Sequence, residues 1–214
     1  MNRLLQISNT LRKSPSDKRN YRYVKLGNHL KCLLVQDTES QKSAATMYVA
    51  SGSLNDPVGI DGLAHFCEHM LFLGTKKYPE ENHYSKFINS HGGSKNAATG
   101  EDYTNYHFDI KNEEFPESLD IFSQFFKEPL FTEEATEREM NAVDSEFRRN
   151  LSNEARRKIQ IEKTELARKT GPLNRFSTGN LESLNLPDIR EQLLKYYDEN
   201  YSANLMSLCL VGNH

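Results

Sequence analysis

The stretch 63–74, LAHFCEHMLFLG, sets two histidines and a glutamate inside a run that is otherwise apolar. Apolar residues recur at helical spacing through Leu73, and Gly74 is a stop, so the pattern predicts a helix. Each helical residue advances about 100°, which puts His69 about 40° to one side of His65 and Glu68 about 60° to the other. All three share a stripe, while Phe66 and Cys67 turn toward a core. A lone histidine on an apolar face is more often a satisfied core residue. Three ionisable groups in one stripe each need a partner, and one metal ion satisfies both imidazoles at once. The chemistry this allows is two imidazoles on a divalent ion, with a carboxylate close enough to reach a water on that ion.

Such an ion needs a third protein ligand. The acidic segment EREMNAVDSEF offers Glu137, Glu139, Asp144 and Glu146. Glu139 and Glu146 lie nearly two helical turns apart and point the same way. One would bind the ion and the other hydrogen-bond a ligating histidine. Spacing leaves open which does which.

The rest of the chain supplies a frame. A polar leader occupies residues 1–18, and the globular domain runs from 19 to 214. YRYVKLGNHLKCLLVQDT reads as two strands paired about Gly27-Asn28. A third strand is expected over 43–54, a helix over 79–93, and strand, turn, strand over 94–110. PESLDIFSQFFKEP is a helix between prolines. The charged segment 132–169 opens with Thr132 as a cap and is one unusually long helix or two in succession. A helix over 186–201 and a closing strand over 204–213 complete the series. Strands first, helices between and a strand last give an α+β class, a mostly antiparallel sheet covered by helices on one face.

Composition narrows the function classes. Lys plus Arg total 27 against 30 Asp plus Glu, so there is no basic surplus to draw nucleic acid or an anionic membrane as a partner. No apolar run approaches the roughly 20 residues of a membrane span. Three cysteines cannot build a disulfide framework, which fits a reducing, cytoplasmic setting. The basic, acid-poor start is also compatible with a mitochondrial presequence.

GLAHFCEHMLFLGTKKYPEENHYSKF, HGGSKNA, TNYHFDI, AVDSE, FSTGN and YYDENYSANLM, in that order, resemble the amino-terminal domain of the insulysin type of pitrilysin zinc metalloproteases, whose signature is H-x-x-E-H. The resemblance runs from Lys13 to Gly212. It implies Zn2+ held by His65, His69 and Glu146, Glu68 as general base, and Glu139 as an outer carboxylate. It also implies an edge strand on which an extended peptide substrate adds itself, with Asn96 and Ala97 near the scissile bond and Phe72 in an adjacent pocket. From the residues alone, the rival reading of Asn96 is a turn residue, the weaker of its two readings, and that of Phe72 is ordinary core packing. Ala98 and Arg156 depart from the aromatics usual around that pocket. Enzymes of this type are about four such domains, so the resemblance further implies a carboxy-terminal half or a homo-oligomeric arrangement as partner. The expected activity is that of a zinc metalloendopeptidase. The rival expectation is a non-catalytic domain that scaffolds or needs that half.

Overall fold

The computed structural model describes residues 3–168 and 171–213. Seven strands form a single sheet: β1 (Leu4–Ser8), β2 (Asn20–Leu26), β3 (Lys31–Gln36), β4 (Lys42–Val49), β5 (Ser94–Thr99), β6 (Thr104–Lys111) and β7 (Met206–Gly212). Their order across the sheet is β1-β2-β3-β7-β4-β6-β5. Every pairing is antiparallel except that of β3 with β7. The turn at Gly27-Asn28 joins β2 to β3 as its sequence requires.

Burial alternates along the strands. Ser43, Ala45, Met47 and Val49 of β4 and Thr104, Tyr106, Phe108 and Ile110 of β6 are buried, whereas their neighbours are not. A sheet packed on one face has this period. The helices are α1 (Leu63–Met70), α2 (His83–Ser90), α3 (Phe115–Gln124), α4 (Glu133–Asn150), α5 (Glu154–Leu166), α6 (Leu181–Leu184) and α7 (Ile189–Asn200). The buried residues of α1, α2, α3, α4 and α7 join those of β4 and β6 in one apolar core. Phe108, Phe122, Phe125 and Tyr84 form its aromatic centre, with ring centroids 5.0 to 6.4 Å apart.

Two expectations change, and one open alternative is decided. Residues 4–8, assigned to a polar leader, form an edge strand on β2. Leu4, Leu5 and Ile7 remain about half exposed, so backbone pairing rather than burial holds them, and no hydrophobic pattern announces it. The strand expected over 43–54 ends at Val49, where Ser53–Asn55 turns into a short 3-10 helix. The charged segment is two helices in succession, broken at residues 151–153, with Asn153 capping the second; its last residue, Lys169, lies outside the described residues, as does His214.

Candidate metal centre

Helix α1 begins without a side-chain cap of its own. Asp56 supplies one from the preceding loop, accepting hydrogen bonds from the backbone N–H of Gly62 at 2.8 Å and of Ala64 at 2.7 Å. Burial pushes the Asp56 carboxyl up to about 7, although these two bonds and Arg175 pull the other way. Gly62 sits at φ 89°, and a Cβ there would lie 2.2 Å from Cα of Gly179. Only glycine lets the segment 176–180 press against the start of α1. That contact brings the Thr178 carbonyl to 2.6 Å from His65 Nδ1.

Six of the eight residues of α1 are buried, including Glu68. Helix α4 packs beside it. Thr132 caps α4 by accepting from Ala135 N–H, with acids in its first turn and arginines in its last, as the helix dipole favours. Of the four acids weighed on α4, Glu139 and Glu146 reach α1. Asp144 is engaged by Arg148 and by the N–H of Leu181, and Glu137 is exposed.

The site is a set of acceptors facing one another. His69 Nδ1 lies 2.8 Å from Glu139 Oε1. A carbonyl oxygen and a carboxylate only accept, so each Nδ1 carries the donated hydrogen, and in the neutral ring this leaves Nε2 with a lone pair. The two Nε2 atoms are 3.2 Å apart, and Glu146 Oε2 is 3.8 Å from that of His65 and 3.7 Å from that of His69. The point equidistant from these three atoms is about 2.1 Å from each, the length of a zinc–nitrogen or zinc–oxygen bond. With both rings neutral, these atoms are three acceptors facing one another, an arrangement a cation satisfies, so the residues fit a zinc ion. Burial draws the His69 pKa down, but the Glu139 hydrogen bond and the charges of Glu139, Glu68 and Glu146 outweigh it and hold the ring above the ordinary histidine value.

Ligand atoms of His65, Glu68 and His69 also lie within 4.8 Å of one another, so proximity does not by itself separate base from ligand. Glu68 has a partner of its own: its Oε2 accepts from the Thr99 hydroxyl at 2.5 Å. Thr99 ends β5, which pairs with β6 along one edge and, among the described residues, with no strand along the other. Ala97 faces the α1 side of β5, and Asn96 is exposed on the opposite side. Phe72, half-buried just beyond α1, packs edge-on against Phe125 at 5.4 Å and near Tyr84 and Tyr106.

Thr99, Thr178 and Asp56 were not anticipated. Thr99 and Thr178 act through fold contacts across 31 and 113 positions, and Asp56 through a loop that folds back on Gly62 and Ala64. The one local signal was FSTGN, whose glycine marks the close approach that aims the Thr178 carbonyl.

With fold and site in view, the comparisons with known proteins locate the chain. Residues 31–171 match the insulinase family, peptidase family M16, and the chain belongs to it. It is 48% identical over 213 residues to insulin-degrading enzyme of Homo sapiens, which covers 97% of this chain and 21% of that protein. It is 46% identical over 202 residues to the A-factor-processing enzyme of Saccharomyces cerevisiae, covering 92% and 20%. Among solved structures, that of pitrilysin superposes with a TM-score of 0.93 at 34% identity, covering 100% of this chain and 23% of that one. The chain thus spans about a fifth of the length of the curated relatives it matches. Among the described residues, no helix is long and apolar enough to cross a membrane.

Proposed function

We propose that the chain is a zinc-dependent endopeptidase domain in which His65, His69 and Glu146 hold the metal and Glu68 is the general base. The observation that carries this reading is the triangle of two Nε2 atoms and one carboxylate oxygen, closed by edges of 3.2, 3.7 and 3.8 Å and lined only by acceptors. Zinc, when bound, supplies a water that ionises near neutral pH and a Lewis-acid contact for a carbonyl oxygen.

The chain's own residues do the rest. Glu139 and the Thr178 carbonyl hold the two imidazoles in the tautomer that leaves Nε2 free. Glu68, on the same face of α1, takes the proton of the attacking water and returns it to the leaving amine. The Thr99 hydroxyl orients the Glu68 carboxylate. The free edge of β5 presents backbone N–H and C=O groups to an extended peptide, with Ala97 and Phe72 on the metal side and Asn96 on the other.

The proposal includes a carboxy-terminal portion, because the relatives are about five times longer and one wall of a groove holds a peptide loosely. Homo-oligomeric assembly is the alternative source of that second wall. The cytoplasm is the proposed compartment, where the three free cysteines stay reduced.

Elemental analysis of the purified chain is the direct test, with about one zinc per chain expected. His65→Ala should lose it. Undiminished zinc in that variant would refute the ligand assignment. Glu68→Gln should keep the zinc, and in the full-length protein it should lower kcat by about 10²- to 10⁴-fold, the range of a general base. Loss of zinc together with activity in Glu68→Gln would make Glu68 a ligand instead.

A further inference from the structure

The α1 side of β5 carries Lys95, Ala97 and Thr99, all half-buried, while Ser94, Asn96 and Ala98 are exposed on the other side. Thr99 reaches Glu68, and two positions before Ala97 the strand places a lysine at the other end of the same groove. The Lys95 ammonium lies over the Phe72 ring, 4.4 Å from its centroid, and 5.9 Å from that of Tyr84. Among the described residues no carboxylate pairs with it and no hydrogen bond engages it. Burial lowers its pKa below the ordinary lysine value, with no acidic neighbour acting against that shift. A half-buried cation without a counter-ion is expensive to keep, and two aromatic faces offset only part of that cost.

We propose that Lys95 is a specificity residue of the groove, selecting an acidic side chain in the peptide laid along β5. The inference rests on the reading of β5 as the strand that receives substrate. A peptide joined to this edge directs alternate side chains to the α1 side. One of them faces Thr99 and Glu68; the next two on that side face Ala97, near the cleaved bond, and Lys95. The lysine lies two strand positions from Ala97, so its subsite falls about two residues from the cleaved bond, at roughly 3.3 Å of strand per residue. An aspartate or glutamate there lays its methylenes on the Phe72 edge and gives the ammonium the carboxylate it lacks. A carboxylate at that point also favours the charged form of the lysine.

The test uses the full-length protein and a peptide series in which each position within four residues of the cleaved bond carries Glu, Gln or Lys in turn. At one or two positions Glu should exceed Gln by about tenfold in kcat/KM, equivalent to about 1.4 kcal/mol. The difference should lie in KM and shrink as salt is raised. Lys95→Met, which keeps the stem over Phe72, should abolish the preference without changing the melting temperature by more than a few degrees, and Lys95→Glu should transfer it to the Lys peptide. Fluorescence anisotropy of the same peptides on the Glu68→Gln protein should show the same ranking without turnover. Equal use of Glu and Gln at every position, or a Glu preference that survives Lys95→Met, would overturn the role of Lys95 and leave the peptidase reading intact. Ranked binding with no cleavage of any peptide by the unaltered enzyme would instead overturn the peptidase reading while upholding Lys95.

Discussion

Helices α1 and α5 both lie in segments whose residues predict helix, yet they are held in opposite ways. Six of the eight residues of α1 are buried, it borrows its cap from Asp56, and each of its polar site groups has a partner on another element. The thirteen residues of α5 include none that is buried, its cap is its own Asn153, and Ile159, Ile161 and Leu166 are about half exposed or more. An isolated helix of that length is marginal in water. The difference teaches that chemistry is placed where tertiary contacts over-determine the backbone, and that local helix signals alone do not identify such a place.

The sharpest way to break the comparison is to remove volume from α1. Phe66 is fully buried, and Phe66→Ala should cost about 3 to 5 kcal/mol in urea denaturation. A loss under 1 kcal/mol would mean that α1 is no better anchored than α5.

The borrowed cap gives a pH signature. The Asp56 carboxyl is pushed up to about 7 in the fold, against an unfolded value near 4. A group whose pKa is raised by folding stabilises in its protonated form, so its contribution is full below about pH 4 and is lost as pH rises through 7. The stability difference between the unaltered chain and Asp56→Asn should therefore fall across that window, by up to about 4 kcal/mol. A difference that stays level between pH 4 and 8 would show that Asp56 titrates as an ordinary surface acid.

The smallest effect is expected on α5. Ile161→Ser should change stability by no more than about 0.5 kcal/mol, because the side chain is 59% exposed. A loss above 1 kcal/mol in the full-length protein but not in this chain would show that another part of the polypeptide covers α5.

How much could be read beforehand follows the same division. The strand pair about Gly27-Asn28, the pair 94–99 and 104–111, and the stripe of His65, Glu68 and His69 depend on turn chemistry and periodicity, which are local. The facing carboxylates narrowed to Glu139 and Glu146 by helical repeat, but only packing shows Asp144 turning to Leu181. Thr178 meets His65 across 113 positions and Thr99 meets Glu68 across 31; only the glycine after Thr178 leaves a local trace, and nothing beside Thr99 marks its role. Strand β1 was missed for the converse reason: backbone pairing at an edge leaves no trace in side-chain pattern.

The position of β7 has a consequence for how the chain comes into being. Among the described residues it is the last strand in chain order but lies in the middle of the sheet, and no other strand bridges β3 and β4. During synthesis, β1-β2-β3 and β4-β6-β5 emerge as two separate ribbons. They become one surface only when residues 206–212 have left the ribosome, after loops of more than 150 residues have been closed against their entropy. Until then the inner edges of both ribbons, β3 and β4, are unpaired and open to mispairing.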